Sequence, residues 1–220
     1  MTNNHSAKTL GGLFVVIDGP DGVGKSTQIE NVKRQLQGLG YHVTASREPG
    51  GTSIGETVRR LVKDNKNLPP WCELHLIQGA RIDHINALII PALQRNEIVL
   101  LDRFTPSTLV YQGVVRGIGV DEVASIIHRS SPNIEPDVIF ILDAQTPQTG
   151  FEFSSGDSFE HQGMPIWRTV RQAYLELATR FGWTVVTADR PKDLVTENLV
   201  KLIADRLNFR SLSAHESAVH

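Results

Sequence analysis

The sequence predicts an α/β fold of three layers, a five-stranded parallel sheet with helices on both faces. Two observations carry this. Five short strand-like runs, Leu13–Asp18, His42–Arg47, Ile98–Leu101, Val138–Leu142 and Thr184–Thr187, alternate along the chain with helical stretches. Such alternation builds a parallel sheet covered on both sides. The first run, LFVVID, also passes through a glycine-rich turn straight into a helical stretch. Strand, turn and helix in that order form a phosphate-binding unit.

That turn, GPDGVGKST at Gly19–Thr27, fits the pattern G-x-x-x-x-G-K-[ST]. Its glycines let the backbone turn tightly, so that successive N–H groups face phosphate oxygens. Lys25 is placed to reach β- and γ-phosphates and Ser26 to ligate Mg²⁺. ATP and Mg²⁺ are therefore the expected cofactors. Gly19, Gly22, Gly24, Lys25, Ser26 and Thr27 are the expected nucleotide-binding residues, and the fold is that of the P-loop NTPases. The helix Lys25–Leu39 aims its positive end at the anion. Gly40 stops it, and the strand His42–Arg47 follows. Glu48–Thr52 (EPGGT) is a loop, since Pro and two glycines forbid a regular continuation.

Ser53–Lys63 is helical, with Ile54, Val58, Leu61 and Val62 on one face. Pro69-Pro70 breaks the chain before a long helix from Trp71 to Arg95, which Pro91 should kink. The third strand ends in Asp102. Helices Ser107–Val115 and Asp121–His128 lead to the fourth strand, which ends in Asp143. Gln145–Gly163 has least pattern and is expected as a loop. Pro165–Phe181 and Pro191–Leu207 are the last helices, on either side of the fifth strand. One domain over 11–209 is expected, with a lid at about 145–163 and flexible polar tails at 1–10 and 210–220.

A chain of 220 residues, 40% hydrophobic and 21% charged, suits one globular domain. The formal charge of −2 argues against a broad nucleic-acid surface. Cys72 stands alone, so no internal disulfide forms, and it is expected as a buried thiol. No apolar run approaches a membrane span, and Met1–Leu10 lacks a signal-peptide core. A cytoplasmic location is the expectation.

In parallel sheets ligands gather at the carboxyl ends of the strands. Those ends collect Asp18–Lys25, Arg47, Asp102, Arg103 and Asp143. Asp102, after four apolar residues, is placed to orient Mg²⁺. The next residue is arginine, where many P-loop hydrolases carry a water-activating glutamate, so transfer is favoured over hydrolysis. Arg47 and Arg103 suit bidentate grip on a second phosphate group.

With these motifs in hand, the sequence resembles the thymidylate kinase family, which passes a phosphoryl group from ATP to dTMP. The carriers are the P-loop, REPGGT at Arg47–Thr52, GARIDHINALIIPAL at Gly79–Leu93, DRFTPS and YQG within Asp102–Gly113, and RQAYLELA at Arg171–Ala178. They cover most of the chain in the family's order. The resemblance implies that Asp21 meets the nucleotide's sugar hydroxyl. It implies further that Arg47 and Arg103 hold the acceptor's monophosphate, and that Asp102 assists with magnesium or that phosphate. Arg81 and Gln112 would approach the base, and Tyr111 would close on the sugar and disfavour a ribose. It also implies a homodimer, with Trp71–Arg95 as candidate interface. His75 and His84 are expected as packing or surface residues.

Two departures bear on the acceptor and the rate. Position 22 is glycine, the form that accompanies lid arginines in the family, yet Gln145–Gly163 contains neither Arg nor Lys. The family's D-R-F-E stands here as Asp157-Ser158-Phe159-Glu160, and Arg168 is the nearest candidate cation. Four residues before Arg81, where the family has a base-stacking phenylalanine, stands Ile77. Three readings stay open on the residues alone: a dTMP kinase, a kinase of a modified pyrimidine nucleotide, and a nucleotide-binding module of little turnover.

Overall fold

The computed structural model describes residues 10–65, 67–131, 134–148 and 163–217. Most of the expected lid and nearly all of the expected N-terminal tail lie outside them. The elements are β1 (Leu13–Asp18), α1 (Lys25–Gly38), β2 (Val43–Arg47), α2 (Ser53–Asp64) and α3 (Pro70–His84). A π-helical stretch (Ile85–Ile89) joins α3 to α4 (Ile90–Gln94), and β3 (Ile98–Asp102) follows. Next come α5 (Thr105–Thr108), a second π-helical stretch (Leu109–Val115), α6 (Val120–Ser130) and β4 (Val138–Asp143). The chain continues through α7 (Gly163–Phe181), β5 (Thr184–Thr187) and α8 (Lys192–Ser217).

The sheet has five strands in the order β2-β3-β1-β4-β5, and every pairing is parallel. All of β1 is buried because its two faces pack against different helices. Leu13, Val15 and Ile17 join the core of α1 and α8 through Val32, Leu36, Leu199 and Ile203. Phe14 and Val16 join the core on the other side through Ile85, Ile89 and Leu93. A strand sealed on both faces reads as a continuous apolar run. Each fully buried aliphatic side chain contributes about 1.5–3 kcal/mol. Register then fixes the site: Ile17 lies opposite Asp102, and Asp102 opposite Arg47. The functional strand ends therefore share one rim.

Several boundaries and faces differ from expectation. The helix expected over Trp71–Arg95 contains a π-helical stretch just before Pro91, which has no N–H and crowds the preceding turn. The inward face of α2 is rotated: Val58 and Gly55 are buried, whereas Ile54 and Leu61 are exposed. The cause is Gly55, where a Cβ would lie 2.3 Å from the Gly50 carbonyl. A glycine chosen for close approach is invisible to an apolar pattern. Cys72 is exposed, not buried, because α3 turns Glu73, Leu74 and Ile77 inward instead. The last helix runs on to Ser217, past its expected end at Leu207 and into the expected tail.

Candidate active site

The P-loop leaves β1 in backbone conformations that glycine alone adopts freely. Gly19 has φ +141°, and a Cβ there would lie 2.5 Å from the Leu142 carbonyl; Gly24, ahead of α1, has φ +89°. The Lys25 ammonium is buried and folded over the loop, donating to the carbonyls of Gly19 at 2.9 Å and Pro20 at 2.7 Å. Burial, and then the Arg103 charge, press Lys25 below its usual range against the pull of Asp21. Asp18, fully buried, ties the loop to the β3–α5 turn. It accepts from the backbone N–H of Gly19 (2.8 Å), Phe104 (3.2 Å) and Ser107 (3.0 Å), and from the hydroxyls of Ser107 and Tyr174, both at 2.8 Å.

Arg103 has φ +67°, an uncommon conformation for a side chain other than glycine. This turn, pinned by Arg103 N–H donating to the Ile17 carbonyl at 3.2 Å, brings its guanidinium back over the loop. There it forms an ion pair with Asp21, donates to Ser107 Oγ at 2.9 Å, and lies 5.4 Å from the Tyr111 ring centroid. The Tyr111 hydroxyl donates to the other Asp21 oxygen at 3.1 Å. Burial acts to raise the Asp21 carboxyl, but Arg103 and then Lys25 outweigh it and hold the group well below the carboxylate range. Burial, then the Asp21 charge, push the Tyr111 phenol upward, so it stays a donor. Asp21, Arg103 and Tyr111 thus meet beside the loop.

Ser26 Oγ donates to Asp102 Oδ2 at 3.0 Å, while Asp102 Oδ1 is buried and has no hydrogen-bond partner. A hydroxyl and an under-satisfied carboxylate side by side fit a hard oxygen-loving cation such as Mg²⁺. Arg47 extends from the end of β2 and is half exposed, its guanidinium 3.2 Å from both Glu56 oxygens. Arg59 joins it, a residue that sequence patterning did not select. It donates to the Pro49 carbonyl at 3.1 Å. Burial, and then the charges of Arg47 and Arg103, press it below its usual range.

Arg81 is buried and already engaged. It donates to Glu48 Oε2 at 2.6 Å, Gln78 Oε1 at 2.8 Å and Thr108 Oγ1 at 2.8 Å, with its guanidinium over the Phe104 ring. Glu48 also faces His84 Nδ1 at 3.2 Å, and His84 Nε2 meets Ser46 Oγ at 2.8 Å, so His84 is a buried hydrogen-bonded residue. Gln112 donates to the buried Glu73 at 2.6 Å, and Ile77 is buried between Glu73 and Arg81 on α3.

Four residues outside the expected set support the site. Asp18 closes an apolar strand as Asp102 does, and that pattern marked it. The Tyr174 hydroxyl and the Trp167 indole, which donates to the Asp21 carbonyl at 2.7 Å, sit at apolar-periodic positions of α7 and look like core in sequence. Arg59 follows from the loop before α2, which brings that helix back over Pro49. Arg168 lies exposed on α7, and Arg171 is committed to Asp143 by bonds of 2.6 and 2.8 Å.

Lys25 on one side and Arg47, Arg59 and Arg103 on the other make two anion-attracting regions that meet at the Asp21–Arg103 ion pair. On this sheet, that construction defines a P-loop phosphotransferase of the nucleotide kinase class. Comparison with known proteins narrows the class. The family model described as "Thymidylate kinase" matches residues 17–199. Thymidylate kinase from Pelotomaculum thermopropionicum is 35% identical over 205 residues, covering 90% of this chain and 95% of that one. The Pelobacter propionicus enzyme is 36% identical over 214 residues, covering 91% and 98%. Among solved structures, thymidylate kinase from Ehrlichia chaffeensis matches with a TM-score of 0.74 at 28% identity, covering 88% of this chain and 99% of that one. The chain belongs to the thymidylate kinase family.

Proposed function

We propose that this chain transfers the γ-phosphoryl group of ATP to dTMP, giving ADP and dTDP. The observation that carries the proposal is the Asp21–Arg103 pair, which joins the donor loop to the acceptor side. ATP phosphates take the loop N–H groups and the start of α1, and Lys25 leaves its two loop carbonyls to meet the β/γ-oxygens. Arg47, Arg59 and Arg103 hold the dTMP phosphate in line, and Tyr111 with Asp21 closes on the sugar. Arg81, Ile77 and Gln112 line the base side. Mg²⁺, held by Ser26 and Asp102, would neutralise charge on the transferring group.

Catalysis then rests on positioning and charge rather than on a covalent intermediate. The relatives compared above bear the thymidylate kinase name, and no observation in the structure favours a modified-base acceptor or a module without turnover. We assign the enzyme to the cytoplasm; among the described residues no helix is long and apolar enough to cross a membrane. A homodimer through α2 and α3 is supported by Ile54, Leu61 and Trp71, large apolar side chains exposed on those helices. The test is ADP release with dTMP, dUMP, dCMP and dGMP beside ATP alone. Release that depends on dTMP is expected, and release equal to the ATP-only rate would overturn the proposal.

A further inference from the structure

Two helical stripes face each other beside the loop. On α3, Glu73, Ile77 and Arg81 recur every fourth residue and all three are buried. Across from them, Thr108, Gln112 and Arg116 recur with the same spacing. Contacts close both ends of this seam. Arg81 donates to Thr108 at 2.8 Å, and Glu73 receives Gln112 Nε2 at 2.6 Å on one oxygen and the Arg116 guanidinium on the other. Ile77 falls between the two.

The chemistry of Glu73 settles which way the Gln112 amide faces. A carboxylate paired with arginine can only accept, so the amide nitrogen must turn toward it. Oε1 is then the end turned away, and among the described residues no donor is bonded to it. Gln112 is thereby a fixed acceptor, whereas an unrestrained amide presents either end. We propose that Glu73 is a positioning residue for base choice, holding Gln112 so that its Oε1 accepts from a ring N3–H and thus selects thymine or uracil over cytosine. Cytosine offers a lone pair at N3 and would set acceptor against acceptor. Arg81, with donors only, completes the code by favouring a 4-keto oxygen over a 4-amino group. The inference rests on the base-side role given to Gln112 above.

The experiment compares kcat/KM for dTMP with that for 5-methyl-dCMP, which shares the methyl group and differs only at N3 and C4. Glu73→Gln supplies residue 73 with donors as well as an acceptor, so the Gln112 amide can settle either way. The dTMP preference should fall at least about tenfold, since a well-made polar pair discriminates by roughly that much, while KM for ATP stays put. A global loss of stability cancels in the ratio. Should the single variant not fold because Arg116 loses its partner, Glu73→Gln/Arg116→Gln removes both charges and must show the same fall. An unchanged ratio in a folded variant that still turns over dTMP overturns the inference alone. Wild-type enzyme that does not turn over dTMP overturns the parent proposal and this one with it.

Discussion

Arg103→Met removes the guanidinium at the junction of the two phosphate regions and keeps an apolar stem. The wild-type side chain is anchored in advance: Ser107 Oγ lies 2.9 Å from it, the Tyr111 ring stacks beneath at 5.4 Å, and Asp21 pairs with its outer nitrogen. An acceptor phosphate therefore meets a group whose rotamers are already ordered, and little binding energy is lost to ordering it. A charge-assisted hydrogen bond contributes about 1.5–3 kcal/mol, so KM for dTMP should rise roughly ten- to a hundredfold. Steady-state kinetics with dTMP varied at saturating ATP reads this directly.

The variant also has an acid signature. Asp21 is depressed in the folded protein, so it stabilises the fold above its usual value of 3.8, and that contribution fades only as pH falls toward its folded value. Without Arg103, burial remains and the chief opposing charge is gone, so the folded value rises and the contribution shrinks. Acid unfolding should begin at higher pH in the variant. An unchanged dTMP KM together with weakened ATP binding would place Arg103 on the donor side and refute the reasoning.

Three further outcomes are expected. Lys25→Ala should abolish transfer with an intact fold, since the ammonium contacts loop carbonyls rather than the core; activity within a few-fold of wild type would contradict this. Asp18→Asn turns an amide toward the backbone donors of Phe104 and Ser107. It should cost about 2 kcal/mol or more, lowering Tm by about 4–8 °C for a chain of this size, and calorimetry decides it. Ser158→Arg restores a lid arginine that the sequence lacks. It should raise kcat with little change in ATP KM, because a charge acting on the transferring group stabilises the transition state most. A wild-type kcat already near about 1–100 s⁻¹ and unimproved by the change would mean another cation serves.

What the sequence makes legible is whatever its local pattern dictates. Strands sealed on both faces announce themselves as apolar runs, and the P-loop glycines, Lys25 and Ser26 carry their geometry in their spacing. Asp102 and Arg103 follow from strand ends that register brings to one rim. What stays hidden depends on contacts distant in sequence. Gly55 rotates the buried face of α2 through an approach to Gly50 that no apolar pattern encodes. Tyr174 and Trp167 occupy core-like positions, and only the fold shows that their polar atoms hold Asp18 and the loop. Arg59 looks like a surface helix residue until α2 packs back over Pro49. Glu73 and Gln112 lie 39 residues apart and find each other only when α3 crosses the second π-helical stretch.

The most direct test of the account follows the phosphoryl group itself. Enzyme incubated with γ-labelled ATP, Mg²⁺ and dTMP should place the label in dTDP, in amounts matching the ADP formed. Label recovered as inorganic phosphate at the same rate with and without dTMP would contradict it, because two facing phosphate sites would then not be joined in transfer.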